Sequence, residues 1–478
     1  MVSGADGDFH SASPSLTGTA REAAGRGAMS STLLERWFGL SARGTSARTE
    51  VLAGVTTFAT MAYILVVQPA ILSTDLAGRP LGLDFGAVFV ATCLGSAFAS
   101  ILMGLYAGYP IALAPGMGEN VFFVTVVMGL AALGVAQPWQ VALGMVFVSG
   151  VAFILLTLVG VREALIDAIS PSMRSAIAVG IGLFIAFLGL RQGGLVVGRP
   201  TTLVGLNPEL RSAEVGVFAA GLLLSSVLLA RRVRGALLLG MAGSALVAAL
   251  LGKVAFKGIV ALPQVAHSAV LAMDPIGALE PRLLPFVIVF LFMGLFDTVG
   301  TLVGVSEQAG LLQGGRLPRA NRALLTDAAG ITVGAALGTS TITCYIESAA
   351  GVSAGGRTGL TAVVAGALFL AAVFFGPLVA ALGSYGPITA PALVLVGSMM
   401  MANAARIAWD DLTEALPVFL TVVGIPLTSS IADGLALGFV AYPVVKLMAG
   451  RGREVGWLSY LMAALLLAYF VFVRHQLG

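Results

Sequence analysis

The chain has 478 residues, of which 58% are apolar and only 10% are charged, and its mean hydropathy is +0.99. These residues provide too little polar surface to cover a water-soluble fold of this length. The composition therefore indicates a polytopic membrane protein and excludes a soluble enzyme or binding module. The formal net charge of +3 gives no support to a nucleic-acid partner, and two cysteines without CxxC spacing exclude a disulfide framework and a thiolate metal site.

Residues 1–46 are rich in Ser, Gly, Ala and Arg and contain no apolar run that would form a signal-peptide core. We interpret them as a disordered cytoplasmic tail. The run LLERWFGL at 33–40 predicts a short amphipathic helix on the inner membrane surface. Met29 stands shortly before it, which gives the hypothesis that translation of the native gene starts at Met29 and not at Met1.

Apolar segments then recur at about the length that a ~30 Å hydrocarbon core requires. The first seven lie near 51–72, 86–106, 110–129, 140–160, 172–190, 213–230 and 235–252. Seven more lie near 284–304, 323–338, 340–355, 360–383, 387–404, 413–427 and 429–449. This pattern predicts an all-α membrane protein with 14 spans, divided into a tail (1–46), a first repeat (47–252), a connecting loop (253–283), a second repeat (284–449) and a C-terminal apolar segment (450–478). The last run, 457–473, is either a fifteenth span or an interfacial helix.

Arg and Lys in the short loops fall mostly on one side when the segments are counted alternately, which places the N-terminus in the cytoplasm of a plasma (inner) membrane protein. Glu307 and Asp327 lie near the cytoplasmic ends of their segments. We expect them to be solvated there or paired with the neighbouring arginines Arg316, Arg319 and Arg322. Arg357 is expected to be structural and to cap the end of the tenth segment.

The tenth segment, within 338–359, cannot be an ordinary spanning helix. It begins with alternating Thr339, Thr341 and Thr343, which favour extended backbone, and turns to helix formers only after Tyr345. Non-helical backbone at membrane depth is tolerated only inside protein or against a polar cavity. Glu347 lies at the expected start of the half-helix, where an anion is favoured, so the break predicts a binding site.

The third segment is interrupted in a similar way. Pro115, Gly116 and Gly118 precede polar Glu119 and Asn120 in the middle of an apolar region. Each half of seven segments is thus interrupted in its third segment, which is what an inverted repeat predicts. In such a repeat the substrate site lies between the two interrupted segments, near the middle of the membrane.

The eighth segment carries Asp297, one turn before Thr301 and on the same face. A carboxylate in hydrocarbon costs about 2.5–3.5 kcal/mol, so we expect it to face the bundle interior. A buried acid that only bonds a neighbouring helix is the alternative.

Four motifs resemble one family: AGVTTFATMAYILVVQP at 53–69, APGMGENVFF at 114–123, FDTVGTLVGV at 296–305 and ESAAGVSAGGRTGLTAV at 347–363. In this order they resemble the AzgA-like purine permeases of the nucleobase/cation symporter and nucleobase/ascorbate transporter superfamily. The resemblance covers the chain from about residue 34 to its C-terminus.

The resemblance implies a 7+7 inverted repeat with a core of segments 1–4 and 8–11 and a gate of segments 5–7 and 12–14. It implies short antiparallel strands in discontinuous segments 3 and 10, an elevator-like motion of core against gate, and homodimers. It also implies secondary active import of purine nucleobases (adenine, guanine, hypoxanthine) by proton symport. Asp297 and Glu347 match the acids that bind the base, and Asn120 matches the polar residue of segment 3.

The chemistry of the residues suits a purine, because carboxylates accept from its N–H groups and an amide both donates and accepts. Asp297 and Glu347 are the candidates for proton coupling. The remaining candidates for substrate binding are Glu119, Thr301, Thr343, Ser348 and, for stacking on the base, Phe296. Family members usually carry an acid at Gly294 and an apolar residue at Glu119, so these departures bear on base preference.

Other functions remain open. A transporter of the same architecture for uracil, xanthine or an anion is the main alternative, although an anion site would favour cationic or neutral residues. A channel differs only in lacking saturable uptake. An intramembrane hydrolase would need a metal cluster or a nucleophile pair, and no histidine falls in an apolar segment. We therefore expect no enzyme activity, cofactor or metal; the expected partners are the base, protons and the lipid bilayer.

Overall fold

The computed structural model describes residues 33–75, 78–159, 170–200, 202–254, 256–263, 269–311 and 317–468. The predicted tail up to residue 32, the expected start at Met29 and the end of the last apolar run lie outside the described residues. The side chains of Phe296 and Glu307 also lie outside them.

Helices and strands occupy every predicted apolar segment. In the first half they are α1 (Leu33–Phe38), α2 (Ala47–Met61), α3 (Ile64–Ser73), α4 (Phe85–Leu102), β1 (Leu113–Pro115), α5 (Met117–Ala132), α6 (Pro138–Val159), α7 (Pro171–Gln192), β2 (Val196–Arg199), β3 (Leu203–Leu206), α8 (Ala213–Ala230) and α9 (Ala236–Leu250). A π-helical turn, Met103–Ala107, extends α4.

The second half follows with α10 (Pro275–Ala278), α11 (Leu284–Gln308), α12 (Ala320–Leu337), β4 (Ile342–Cys344), α13 (Ser348–Ser353), α14 (Gly359–Ala372), α15 (Gly376–Gly383), α16 (Gly386–Met400), α17 (Leu412–Thr428), α18 (Ile431–Met448) and α19 (Trp457–Ala468). Within the described ranges, eight helices are long and apolar enough to cross a membrane, with α2 and α3 taken as one and α14 and α15 taken as another. The predicted amphipathic helix is present as α1.

Local sequence explains where many helices begin. The hydroxyls of Ser46, Ser170 and Ser212 each accept a hydrogen bond from the backbone N–H three residues later. Each bond satisfies a donor that has no partner within its own helix. Pro171 follows directly after Ser170, at a position where its missing N–H costs nothing.

The strands form two small antiparallel sheets. The strands β1 and β4 pair with each other although they come from opposite halves of the chain, and β2 pairs with β3 in a hairpin after α7. The short strands expected in segments 3 and 10 are therefore confirmed, while the hairpin was not predicted.

The helices pack in two groups. The first group contains α2–α6 and α11–α15, and it includes the β1–β4 pair. The second contains α7–α9 and α16–α18, in which α7 packs against α16 and α17, and α19 packs on α18. Contacts between the groups are sparse and include α5 against α7.

An ion-pair cluster joins the ends of α17 and α18. The buried Lys446 Nζ lies 3.0 Å from a Glu414 oxygen, and Arg451 Nη1 lies 2.8 Å from an Asp411 oxygen. Hydrogen bonds from the Thr413 hydroxyl and from Arg451 hold the pKa of the Asp411 carboxyl well below its usual range. The cluster ties these two helices to the turn that precedes α19, because Glu454 also bonds Lys446 and Arg451.

Backbone contact brings α4 and α14 together inside the first group. A Cβ at Gly104 would lie 2.2 Å from the carbonyl oxygen of Gly359, and a Cβ at Gly359 would lie 1.9 Å from that of Gly104. Neither position has room for a side chain, and the obstacle is backbone that cannot rotate away.

We expect Gly104→Ala to lower the free energy of unfolding by about 3 kcal/mol, because overpacking against backbone forces the two helices apart. The measurement is the thermal unfolding midpoint of the purified protein in detergent. Gly216→Ala is the matched control, since a Cβ there would meet nothing within 4 Å and the helix gains a better helix former. Equal midpoints for the two variants would show that the close crossing is unimportant.

Candidate functional site

The site is built on the β1–β4 pair. Leu113, Ala114 and Pro115 lie opposite Cys344, Thr343 and Ile342 respectively. The pairing continues beyond the strands, since the Gly116 N–H donates to the Thr341 carbonyl at 2.9 Å and the Tyr345 N–H to the Ala112 carbonyl at 3.0 Å. Each broken segment thus satisfies backbone groups of the other, which is what permits extended backbone at this depth.

Serine hydroxyls complete the backbone bonding beside β1. Ser348 Oγ accepts from the Ala112 N–H at 3.0 Å, and Ser100 Oγ accepts from the Leu113 N–H at 2.9 Å. Both serines are fully buried. Ser348 thus holds the two broken segments together, and its predicted contact with substrate stays a prediction.

Asn120 also belongs to a buried network. Its Oδ1 accepts a hydrogen bond from the Ser340 hydroxyl, and its Nδ2 lies 4.0 Å from Met117 Sδ. Gln68 Nε2 donates to the same Ser340 hydroxyl at 2.9 Å and to Thr339 Oγ1 at 3.0 Å. The structure therefore places the Asn120 amide among fixed protein partners rather than with the acids of the site.

Glu347 directly precedes α13 and is half-buried. Its Oε1 accepts a hydrogen bond from the Tyr63 hydroxyl at 2.8 Å, and its side chain does not cap the helix. The expected position of Glu347 at a helix start is confirmed. Because α13 has only six residues, its dipole contributes little to the stabilisation of the Glu347 carboxylate. The partner that orients this carboxyl is Tyr63, at the break between α2 and α3.

Asp297 occupies an exposed position in the middle of α11. A Cβ at Gly300 or Gly304, one and two turns further along the same face, would meet nothing within 4 Å. An open space therefore borders this face of α11 from Asp297 onwards. Thr301, the predicted companion of Asp297, is 7% exposed.

Two threonines join α11 to β4 beside Asp297. The hydroxyls of Thr298 and Thr343 lie 2.9 Å apart, and both residues are buried. The Thr343 hydroxyl is also a neighbour of the Asp297 carboxyl. The strand β4 and the helix α11 are therefore joined directly beside Asp297.

Glu119 lies in the first turn of α5 and is 3% exposed. Its carboxyl folds back over Gly116, where an added Cβ would meet Glu119 Oε2 at 2.2 Å and the Thr343 methyl group at 2.9 Å. The structure therefore brings Glu119 to the β1–β4 pair, next to Thr343.

The expectation for Asp327 was wrong. The helix α12 begins at Ala320, so Asp327 lies two turns inside it and is fully buried. Neither of its carboxyl oxygens has a hydrogen-bond partner among the described residues, although Thr298 and Cys344 are its neighbours. It is not paired with the arginines at the helix start, because the depth of the helix separates it from them.

Four carboxyl groups consequently surround the strand pair. Asp297 is close enough to interact electrostatically with Glu119, Asp327 and Glu347. We call Glu119, Asp297, Asp327 and Glu347 the carboxyl cluster.

Aromatic residues contribute packing and oriented hydroxyls. The Phe122 ring packs against the Phe290 ring with centroids 4.5 Å apart, and both are fully buried, so Phe122 belongs to the core. The Tyr345 hydroxyl donates to the Pro115 carbonyl at 2.6 Å and lies near Glu347, Asp297 and Glu119. Tyr63 and Tyr345 had no distinguishing sequence signal, because their partners come from distant segments.

The cluster lies where the two helix groups meet. A Cβ at Gly118, beside Glu119, would lie 2.8 Å from Ile181 Cγ2 on α7 of the second group. The absence of a side chain at Gly118 lets the broken segment lie directly against the second group. A displacement of one group along the other would therefore act directly on this site.

Comparison with known proteins agrees with these features. Residues 48–472 match a family model described as "Permease family". The guanine/hypoxanthine permease PbuO of Bacillus subtilis is 44% identical over 90% of this chain and 98% of its own length. The adenine permease AdeP of Escherichia coli is 43% identical over 92% of this chain and 96% of its own length.

Among solved structures, the transmembrane domain of the cyanobacterial bicarbonate transporter BicA is similar in fold. Its TM-score is 0.58 at 15% identity, covering 82% of this chain and 97% of that domain. The matched family and the two permeases from Bacillus subtilis and Escherichia coli are transport proteins and not enzymes. The family match and the two relatives confirm the resemblance carried by the four motifs: the chain is a multi-pass membrane protein that belongs to this permease family, with the AzgA-like nucleobase permeases.

Proposed function

We propose that the protein is a secondary active transporter that imports purine nucleobases (adenine, guanine and hypoxanthine) by proton symport. The observation that carries the proposal is the carboxyl cluster around the β1–β4 pair, bordered by open space at Asp297 and placed where two helix groups meet. The relatives named for adenine and for guanine and hypoxanthine support the choice of substrate.

The base would bind between Asp297 and Glu347. A purine presents N–H donors along its edge, and these two carboxyls are the more accessible acids of the cluster, one exposed and one half-buried. Tyr63 holds the Glu347 carboxyl in place, which lowers the entropy lost on binding. Glu119 and Asp327 are more deeply buried and belong to proton exchange rather than to contact with the base.

The movement we propose is an elevator-like displacement of a core, the first helix group, against a gate, the second group. Sparse contacts between the groups and the small Gly118 at their junction support it. We further propose 14 spans in a 7+7 inverted repeat, with residues 47–252 and 284–449 as its halves. In this arrangement the N-terminus is cytoplasmic, the protein lies in the plasma membrane, and homodimers pack through the gates.

A transporter for an anion is less consistent with the site. The BicA-like fold alone does not select a substrate, because one architecture serves many functions. Four carboxyls beside an open space repel an anion and attract N–H donors. Uracil and the purine xanthine also carry N–H donors, and competition experiments distinguish them from adenine, guanine and hypoxanthine.

The test is uptake of radiolabelled adenine, guanine, hypoxanthine, xanthine and uracil by a host that lacks its own base permeases. We expect saturable uptake of one or more of adenine, guanine and hypoxanthine. Collapse of the proton gradient with a protonophore is expected to abolish accumulation, because one proton moving through 100 mV supplies about 2.3 kcal/mol.

Uptake that prefers uracil or xanthine would reject the assignment to adenine, guanine and hypoxanthine. Uptake that does not saturate would indicate a channel. Accumulation that survives the protonophore but requires Na⁺ would reject proton coupling while leaving the substrate assignment intact. Cells carrying the empty vector supply the background.

A further inference from the structure

Three arginines line one cavity at an end of the first helix group, away from the carboxyl cluster. Arg43, Arg319 and Arg357 surround a volume of about 450 Å³ together with Gly108, Tyr109 and Leu311. We call this the arginine cavity. A second cavity of about 450 Å³ shares Arg43 and Arg357 with it and is also lined by Thr49, in the first turn of α2.

The arginine cavity collects residues from four separate connections. Arg43 precedes α2, Gly108 follows the π-helical turn, Arg319 immediately precedes α12, and Arg357 lies between α13 and α14. The fold thus brings four connections, each with an arginine or a backbone turn, to one concavity. A concavity assembled in this way is a pocket and not a flat surface patch.

Backbone carbonyls fix two of the guanidinium groups. Arg357 Nη1 donates to the Val352 carbonyl at 2.6 Å and to the Gly356 carbonyl at 2.7 Å. Arg43 Nη1 donates to the Arg357 carbonyl at 3.0 Å. These bonds hold the cations in place without neutralising them, because carbonyls are neutral acceptors. Glu50 is the acid whose charge acts on Arg43, so one carboxylate stands against three guanidinium groups.

None of the three arginines has an ion pair within 4 Å in the part of the chain that the structure describes. The neighbouring acid, Glu50, is fully buried and accepts from the Arg357 N–H at 2.8 Å and the Thr361 hydroxyl at 2.6 Å. Burial, and next to it the charge of Arg319, lower the pKa of Arg43. The cavity is therefore electropositive, and its cations repel one another.

We propose that the arginine cavity binds a phosphate group, carried either by a soluble phosphate ester or by a phospholipid head group. Guanidinium groups present paired N–H donors that match phosphate oxygens, and a doubly charged phosphate relieves the repulsion between several cations. The volume accommodates the phosphate with part of the molecule that carries it.

The position of Arg357 gives such a ligand a route to the transport site. Arg357 caps the end of α13, as predicted from the sequence, and Glu347 directly precedes the start of the same short helix. A phosphate held by Arg357 therefore lies one six-residue helix away from an acid of the carboxyl cluster.

The test uses the purified full-length protein and its Arg319→Gln and Arg43→Gln variants. Arg319 is the preferred position, because its exposed guanidinium makes no hydrogen bond to any residue within the described ranges, so the fold should survive its loss. Arg211→Gln, at an exposed arginine far along the chain, is the matched control. Size-exclusion profiles and thermal midpoints establish that each variant is folded.

Inorganic phosphate is titrated calorimetrically at constant ionic strength, so that screening does not change during the titration. In a second arm, native mass spectrometry counts phosphatidic acid retained after incubation with vesicles of phosphatidylcholine and phosphatidic acid. For a soluble ester we expect phosphate to bind and its dissociation constant to rise at least about tenfold in Arg319→Gln and Arg43→Gln but not in Arg211→Gln. For a lipid head group we expect phosphatidic acid to be retained by the wild type and lost by Arg319→Gln.

Either result supports the arginine cavity as a phosphate site and identifies the source. The proposal is overturned if neither phosphate nor phosphatidic acid distinguishes the wild type from folded Arg319→Gln. The result does not depend on which base is transported, because both arms measure binding without uptake.

Discussion

Asp297→Asn is expected to abolish proton-driven accumulation of the base while leaving the folded protein intact. One coupled proton at a membrane potential of about 100 mV supports roughly 50-fold accumulation, and a variant that cannot bind that proton falls to a ratio of about 1. Asp297 is the acid placed to do this, because it is exposed and interacts with each of the other three carboxyls.

The measurement is the ratio of internal to external labelled base, taken across a range of external pH with and without a protonophore. Glu209→Gln, at an exposed acid outside the predicted apolar segments, is the matched control. If Asp297→Asn still accumulates the base with an unchanged pH dependence, Asp297 does not carry the proton.

Glu347→Gln is expected to weaken base binding by at least about 100-fold. The substitution keeps the shape of the side chain but replaces one acceptor oxygen with an N–H donor that faces the N–H edge of the base. An unpaired donor in a buried site costs about 1–3 kcal/mol and more when a charged partner is lost. Equilibrium binding of the labelled base to purified protein measures this directly, independently of proton coupling.

Tyr63→Phe supplies a graded comparison for the same carboxyl. It removes the 2.8 Å hydrogen bond to Glu347 and leaves the ring, so we expect affinity to fall by about tenfold or less. If Glu347→Gln binds the base as tightly as the wild type, Glu347 is not a ligand, and the site must be sought elsewhere along the open face of α11.

The broken segments were predictable because their cause is local. Alternating threonines favour extended backbone, and Pro115 cannot continue a helix, so β1 and β4 lie where the sequence placed them. Asp297 and Glu347 were predicted as site residues for a similar reason, since an acid in an apolar segment stands out.

The partners of the buried polar groups were not predictable, because they lie far away along the chain. Asn120 bonds Ser340, and Ser348 bonds the backbone of Ala112, so both polar groups have protein partners. The predicted depth of Asp327 depended on where α12 begins. The sequence prediction started this helix three residues too late, which placed Asp327 too close to the helix end. The hairpin formed by β2 and β3 has no strong turn motif and was also missed.

The pairing of β1 with β4 also dictates an order of events during biogenesis. Pro115 and Tyr345, which bond across the pair, are 230 positions apart, so the ribosome must deliver most of the polypeptide before the first extended piece finds its complement. Until then the backbone N–H and C=O groups of β1 have no hydrogen-bond partner in β4 and face the bilayer or the insertion machinery. Nascent chains arrested ahead of residue 340 should therefore be substrates for membrane quality-control proteases, whereas the two halves synthesised separately in one cell should rescue each other.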